Sequence, residues 1–101
     1  MELPVGRGSE QRGGRPVLVI QNDTGNRYAE TTIVAVITGT IKTYPFTVIL
    51  DQGEGGLRRA SMVNLAHILT LDKGRLERRL GRLTDQRMGA VDDALRVSLA
   101  L

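Results

Sequence analysis

The sequence predicts a small antiparallel β-sheet curled into a barrel and closed or covered by a C-terminal helix. Three observations lead there. Apolar, β-branched runs come first, their connections are short and carry turn residues, and the clear helical pattern comes only at the end. Strands followed by a helix, without strand–helix alternation, exclude a doubly wound parallel sheet. The 101 residues suit one domain, and a hydrophobic content of 41% is enough to build a core. A domain of this size buries a modest fraction of its surface, so contact with a second copy would stabilise it.

Each element follows from its residues. Residues 1–15 are polar and glycine-rich and read as a loop. Pro16–Gln21 reads as a buried strand, because aliphatic and β-branched residues run together without helical spacing. Asn22–Glu30 carries turn chemistry in Asn22, Asp23, Gly25 and Asn26. Thr31–Thr38 (TTIVAVIT) is the strongest strand signal, and Tyr44–Leu50 is the next, with Pro45 at its entry because proline cannot donate to a ladder. Gln52–Gly56 is a turn. Two short strands are expected at Ser61–Leu65 and His67–Leu71, then a short helix over Asp72–Leu80 with Asp72 as its N-cap. Thr84 to Leu99 reads as the main helix: Thr84 is a good N-cap, Leu83 and Met88 fit a hydrophobic staple, and Met88, Val91, Leu95 and Leu99 form one apolar stripe.

Charge and composition narrow the function. The net charge is +3 with a pI near 10.0, and the arginines cluster, which is compatible with a polyanionic partner such as nucleic acid. Aromatic residues are only 3%, which argues against a binder built on many stacking platforms. The lack of cysteine removes disulfides and thiolate chemistry, and His67, the single histidine, cannot build a zinc site alone. No metal or cofactor is expected. Without a signal-peptide pattern or a membrane-length apolar run, the expected location is the cytoplasm, away from any membrane.

Five stretches carry a family resemblance: GSEQRGGRPVLVIQND at 8–23, IVAVIT at 33–38, KTYPF at 42–46, LDKGRLERRLGRLT at 71–84 and VDDALRVSLAL at 91–101. In this order, over nearly the whole chain, they resemble the MazF/PemK family of toxins from bacterial type II toxin–antitoxin modules. The resemblance implies an SH3-like β-barrel of the CcdB/PemK kind with a C-terminal helix, acting as a homodimer. It implies sequence-specific, metal-independent cleavage of single-stranded RNA, including mRNA. It also implies inhibition by a cognate antitoxin and contact with operator DNA only through that antitoxin. The family's active-site arginine falls on Arg15, its loop glutamate on Glu10 and its strand-end threonine on Thr38. Residues 1–101 would form one toxin domain. Glu2-Leu3 stands where the family's first strand ends, so most of that strand is expected to be absent.

The same residues make chemical sense. RNA cleaves itself when its 2′-OH is activated beside the scissile phosphate, so an enzyme needs a proton acceptor, a proton donor and positive charge over the transition state. Arg15 stays protonated and is a poor base, but its fork suits non-bridging phosphate oxygens. Glu10 is the better acceptor, and Thr38 can donate to a phosphate oxygen from a rigid strand end. Gly8, Gly13 and Gly14 let the loop approach a ligand closely. Pro16 biases Arg15 toward extended geometry. Ser9, Gln11, Arg12, Asn26, Arg27, Tyr28 and His67 are candidates for the RNA groove, with Tyr28 as a stacking surface.

A plainer reading stands beside each. Glu10 and Arg15 could be a solvated surface pair, Thr38 an ordinary strand residue, Tyr28 a half-buried packing residue and His67 a structural one. The Arg75, Arg78, Arg79, Arg82 and Arg87 group reads first as a solubilising helix face, and second as an electrostatic contact with RNA or an acidic antitoxin segment. Two other functions compete with the nuclease: a gyrase-inhibiting toxin on the same barrel, and a catalytically weak module that binds antitoxin for autoregulation. The strongest motif is the catalytic-loop one, which favours the nuclease.

Overall fold

In the computed structural model the described residues are 8–12, 15–21 and 28–101; at 9–12 and 78 the description covers the backbone. Six strands form one antiparallel sheet: β1 (Gly8–Arg12), β2 (Arg15–Val19), β3 (Thr31–Thr38), β4 (Thr47–Leu50), β5 (Ser61–Asp72) and β6 (Arg78–Gly81). Their spatial order is β4-β5-β3-β2-β1-β6. The helix α1 spans Asp85–Leu99.

The glycine-rich segment expected as a loop is a strand over residues 8–12. It pairs with β2 from Gly8↔Val19 to Arg12↔Arg15, and with β6 on its other side. Two partners satisfy its backbone groups, which outweighs its poor strand composition. Gly8 is needed there: a Cβ would stand 2.6 Å from the Gly81 carbonyl oxygen. Glu2-Leu3, Gly13-Gly14 and most of the Asn22–Glu30 turn lie outside the described residues.

The helix expected over Asp72–Leu80 is replaced by a single 3-10 turn at Lys73–Arg75 followed by β6. Asp72 belongs to β5, opposite Thr31, and its side chain makes no cap hydrogen bond. Leu71 and Leu76 are both buried in one cluster, and residues 78–81 pair with β1, so tertiary contacts override local propensity. Ser61–Leu65 and His67–Leu71 join into one strand. Its register against β3 shifts between Ala35↔Ile68 and Val36↔Asn64, so an irregularity lies where the strand break was expected. The strand foreseen from Tyr44 begins at Thr47, because Thr47 N donates to Tyr44 O at 3.0 Å across a turn at Pro45.

Both faces of the sheet are covered, which explains the uninterrupted run at 17–20. Leu18, Ile20, Ala35, Ile37, Leu50, Val63 and Leu65 meet Val91 and Ala94 of α1 on one face. Val17, Val19, Val34, Leu71 and Leu76 pack on the other. The edges of the sheet are drawn together by the 3-10 turn at Glu54–Gly56, just after β4, which packs against β6. A Cβ on Gly81 would stand 2.7 Å from the Gly55 carbonyl carbon, so the two backbones are in direct contact. The barrel closes through that contact.

The C-terminal helix begins as predicted: Thr84 Oγ1 accepts from Arg87 N at 3.2 Å, and Leu83 and Met88 pack on the same core. Its buried face differs at the far end. Ala94 is buried, whereas Leu99 is 47% exposed, so the apolar stripe ends before Leu99 within this chain. Arg87 is not part of a solubilising face, since its guanidinium is ion-paired with Glu54. Among the described residues no helix is long and apolar enough to cross a membrane.

Candidate active site

An open cleft of about 640 Å³ lies where β2 begins and β3 ends. Its wall includes Arg15 and Pro16 of β2, Thr38 at the end of β3, Gly39 and Thr40 beyond it, and Arg58, Arg59 and Ser61 leading into β5. The register Val17↔Val36, Leu18↔Ala35, Val19↔Val34, continued by two residues, sets Arg15 against Thr38. These two residues, 23 apart in sequence, are thus brought together by sheet pairing.

Arg15 is exposed and Thr38 half-buried. The Thr38 hydroxyl oxygen accepts from Thr40 N at 3.2 Å, which turns the chain back at the strand end and leaves the hydroxyl proton to donate outward. Pro16, with its fixed φ, carries Arg15 at the rim. β1 sets Arg12 opposite Arg15 and Glu10 opposite Val17, so the Glu10 backbone lies two residues along the neighbouring strand from that pair. Ser9 and Gln11 share β1 with them. Asn26 and Arg27 lie outside the described residues. Tyr28 is 80% exposed, which removes the reading of it as a packed residue, and neither it nor His67, exposed on β5, lines the cleft.

Arg58 and Arg59 were not anticipated. Their signal was the pair of adjacent arginines in LRRAS, directly after the QGEGG turn. Leu57 is buried, and Gly53 N donates to Leu57 O at 2.9 Å, so the turn is anchored immediately before the two arginines. The same turn is tied to the helix. Arg87 Nε donates to Glu54 Oε1 at 2.8 Å, and this hydrogen bond holds the Glu54 carboxyl below its ordinary pKa. The Asp51 backbone N–H also donates to Glu54.

Among the described residues the cleft is lined by Arg15, Arg58 and Arg59 and by the hydroxyl-bearing Thr38, Thr40 and Ser61. Such a site holds an anion through charge and directed donors. Fold and site together define a small, basic antiparallel barrel with an open, arginine-lined cleft at its strand ends. The family model described as "PemK-like, MazF-like toxin of type II toxin-antitoxin system" matches residues 1–99, and the chain belongs to that family. It is 50% identical over 96 residues to "Endoribonuclease EndoA" of Bacillus subtilis (strain 168), covering 93% of this chain and 83% of that protein. Among solved structures it resembles "Endoribonuclease from Mycobacterial species", with a TM-score of 0.86, 29% identity and coverage of 98% of this chain and 94% of that one. It also resembles "Endoribonuclease in complex with its cognate antitoxin from Mycobacterial species", with a TM-score of 0.85, 29% identity and 96% coverage of each chain.

Proposed function

We propose that this protein is the endoribonuclease toxin of a type II toxin–antitoxin module, cutting single-stranded RNA at a short sequence and restrained by a cognate antitoxin. The observation that carries the reading is the meeting of Arg15 and Thr38 in one open cleft. Family membership and the 50% identical endoribonuclease support it.

In this reading the 2′-OH oxygen of the substrate attacks the adjacent phosphorus while the P–O5′ bond breaks. A 2′,3′-cyclic phosphate and a 5′-OH result. Glu10 accepts the 2′-OH proton, and a proton passes to the departing O5′. Arg15 holds the non-bridging oxygens as their charge grows, and Thr38 donates a hydrogen bond to one of them. The substrate supplies its own nucleophile, Glu10 takes up its proton, water delivers the proton that O5′ gains, and Arg15 and Thr38 meet the charge requirement. Ser9, Gln11, Arg12, Asn26, Arg27, Tyr28 and His67 are assigned to the RNA groove. The exposed apolar end of the chain, Val97, Leu99 and Leu101, supports a homodimer contact. The antitoxin would bind the toxin directly and bring it to operator DNA, in the cytoplasm.

The test is cleavage of a long, unstructured RNA by the purified protein in excess EDTA, with Arg15→Ala beside it. Cuts at one short sequence, lost in the variant, support the reading. An intact RNA under all conditions overturns it.

A further inference from the structure

Among the described residues the Arg58 and Arg59 side chains have no hydrogen-bond or ion-pair partner. Both line the cleft with Arg15. The pair is held at both ends. Leu57 before it is buried, and Ser61 after it is buried with its hydroxyl donating to Arg59 O at 3.0 Å. The Arg59 side chain is also laid across Gly39, the residue after Thr38. A Cβ at position 39 would find Arg59 Cδ at 3.6 Å and Nη1 at 3.8 Å. The guanidinium is thus packed beside the strand end that carries Thr38.

Like charges gathered in one cleft repel unless an anion joins them. One phosphate would satisfy Arg15 and Thr38. A cleft of about 640 Å³ has room beyond that group, and the arginine fork matches a second phosphodiester. We propose that Arg58 and Arg59 form a second phosphate subsite, holding the phosphodiester next to the scissile one while Arg15 and Thr38 take the latter. This assignment rests on the endoribonuclease reading. It makes the two arginines binding residues for register along the strand, with no part in proton transfer. An RNA strand is favoured over an acidic peptide because the two arginines share one cleft with Arg15 and Thr38, the residues assigned to the scissile phosphate.

The experiment measures binding of a 2′-O-methyl RNA oligonucleotide, which has no nucleophile, together with cleavage kinetics on ordinary RNA. Wild type is compared with Arg58→Gln, Arg59→Gln, the double variant and the double lysine variant. Each glutamine is expected to weaken binding about tenfold at low salt, alike for all sequences, and to lower the slope of log K against log salt by about 0.7. The loss should fall on KM rather than kcat, and lysine should restore most of it. Arg58→Gln alone keeps the test sound if changes at Arg59 disturb the strand end, because Arg58 is exposed. An unchanged salt slope and KM in the double variant, with wild type active, overturns the subsite alone. A loss confined to kcat, or confined to binding of an acidic peptide, also overturns it. A wild type that neither binds nor cuts RNA overturns the subsite together with the function on which it rests.

Discussion

Arg87 Nε lies 2.8 Å from Glu54 Oε1, joining the first turn of the C-terminal helix to the turn that carries Arg58 and Arg59 into the cleft. The Glu54 and Arg87 side chains are 27% and 35% exposed, so water and salt weaken the attraction without removing it. Asp51 contributes a second, longer contact at 3.6 Å. Removing the link with Arg87→Met is expected to lower stability by about 0.5–1 kcal/mol. Urea unfolding checks this, and the difference from wild type should shrink in high salt.

The same pair predicts a pH dependence. The hydrogen bond from Arg87 holds the folded-state pKa of Glu54 below its unfolded value. The stabilisation is therefore fully present above the unfolded pKa and is lost as pH falls through the lower folded pKa. Stability of wild type and Glu54→Gln should differ at neutral pH and converge under acid. A gap that stays constant with pH would show that Glu54 acts through packing alone.

Thr84 caps the helix through its hydroxyl oxygen, 3.2 Å from Arg87 N. Thr84→Ala leaves that donor without its partner and should cost about 1 kcal/mol. For a domain of this size the melting temperature should fall by roughly 4–8 °C. Thr84→Ser should retain most of the stability.

Gly56 and Gly53 both have positive φ, at 72° and 93°, but their surroundings differ. A Cβ at Gly53 meets nothing within 4 Å, whereas one at Gly56 would run into the Leu80 carbonyl oxygen. Gly53→Ala should therefore show only backbone strain, about 1 kcal/mol. Gly56→Ala should cost about 2–4 kcal/mol, because strain is joined by a forced separation of the turn from β6. Thermal melts of the two variants check the ranking.

At the cleft, Thr38→Val keeps the shape of a strand residue and removes the hydroxyl. Cleavage should fall roughly 10²–10³-fold, the usual loss for one donor to a developing anion. Circular dichroism and melting should stay near wild type, since Thr38 is only half-buried at a strand end. Loss of fold in parallel with activity would remove Thr38 from its proposed role.

Local chemistry alone determined much of this protein. The run TTIVAVIT marked β3 to the residue, and Thr84 with the apolar spacing after it marked the start and face of the helix. Arg15 and Thr38 were legible as candidates through the family resemblance carried by the stretches at 8–23 and 33–38. Only the tertiary structure decided the rest. Residues 78–81 are a strand because they pair with residues 8–12 across about 70 residues of chain, which no local propensity records. Leu99 continues the apolar stripe in the sequence, yet within this chain it is exposed. Arg58 and Arg59 became visible when the curled sheet carried the turn after β4 to the side of Thr38. Short-range patterning chooses the elements, whereas strand pairing and the closure of the barrel choose which side chains share a cleft.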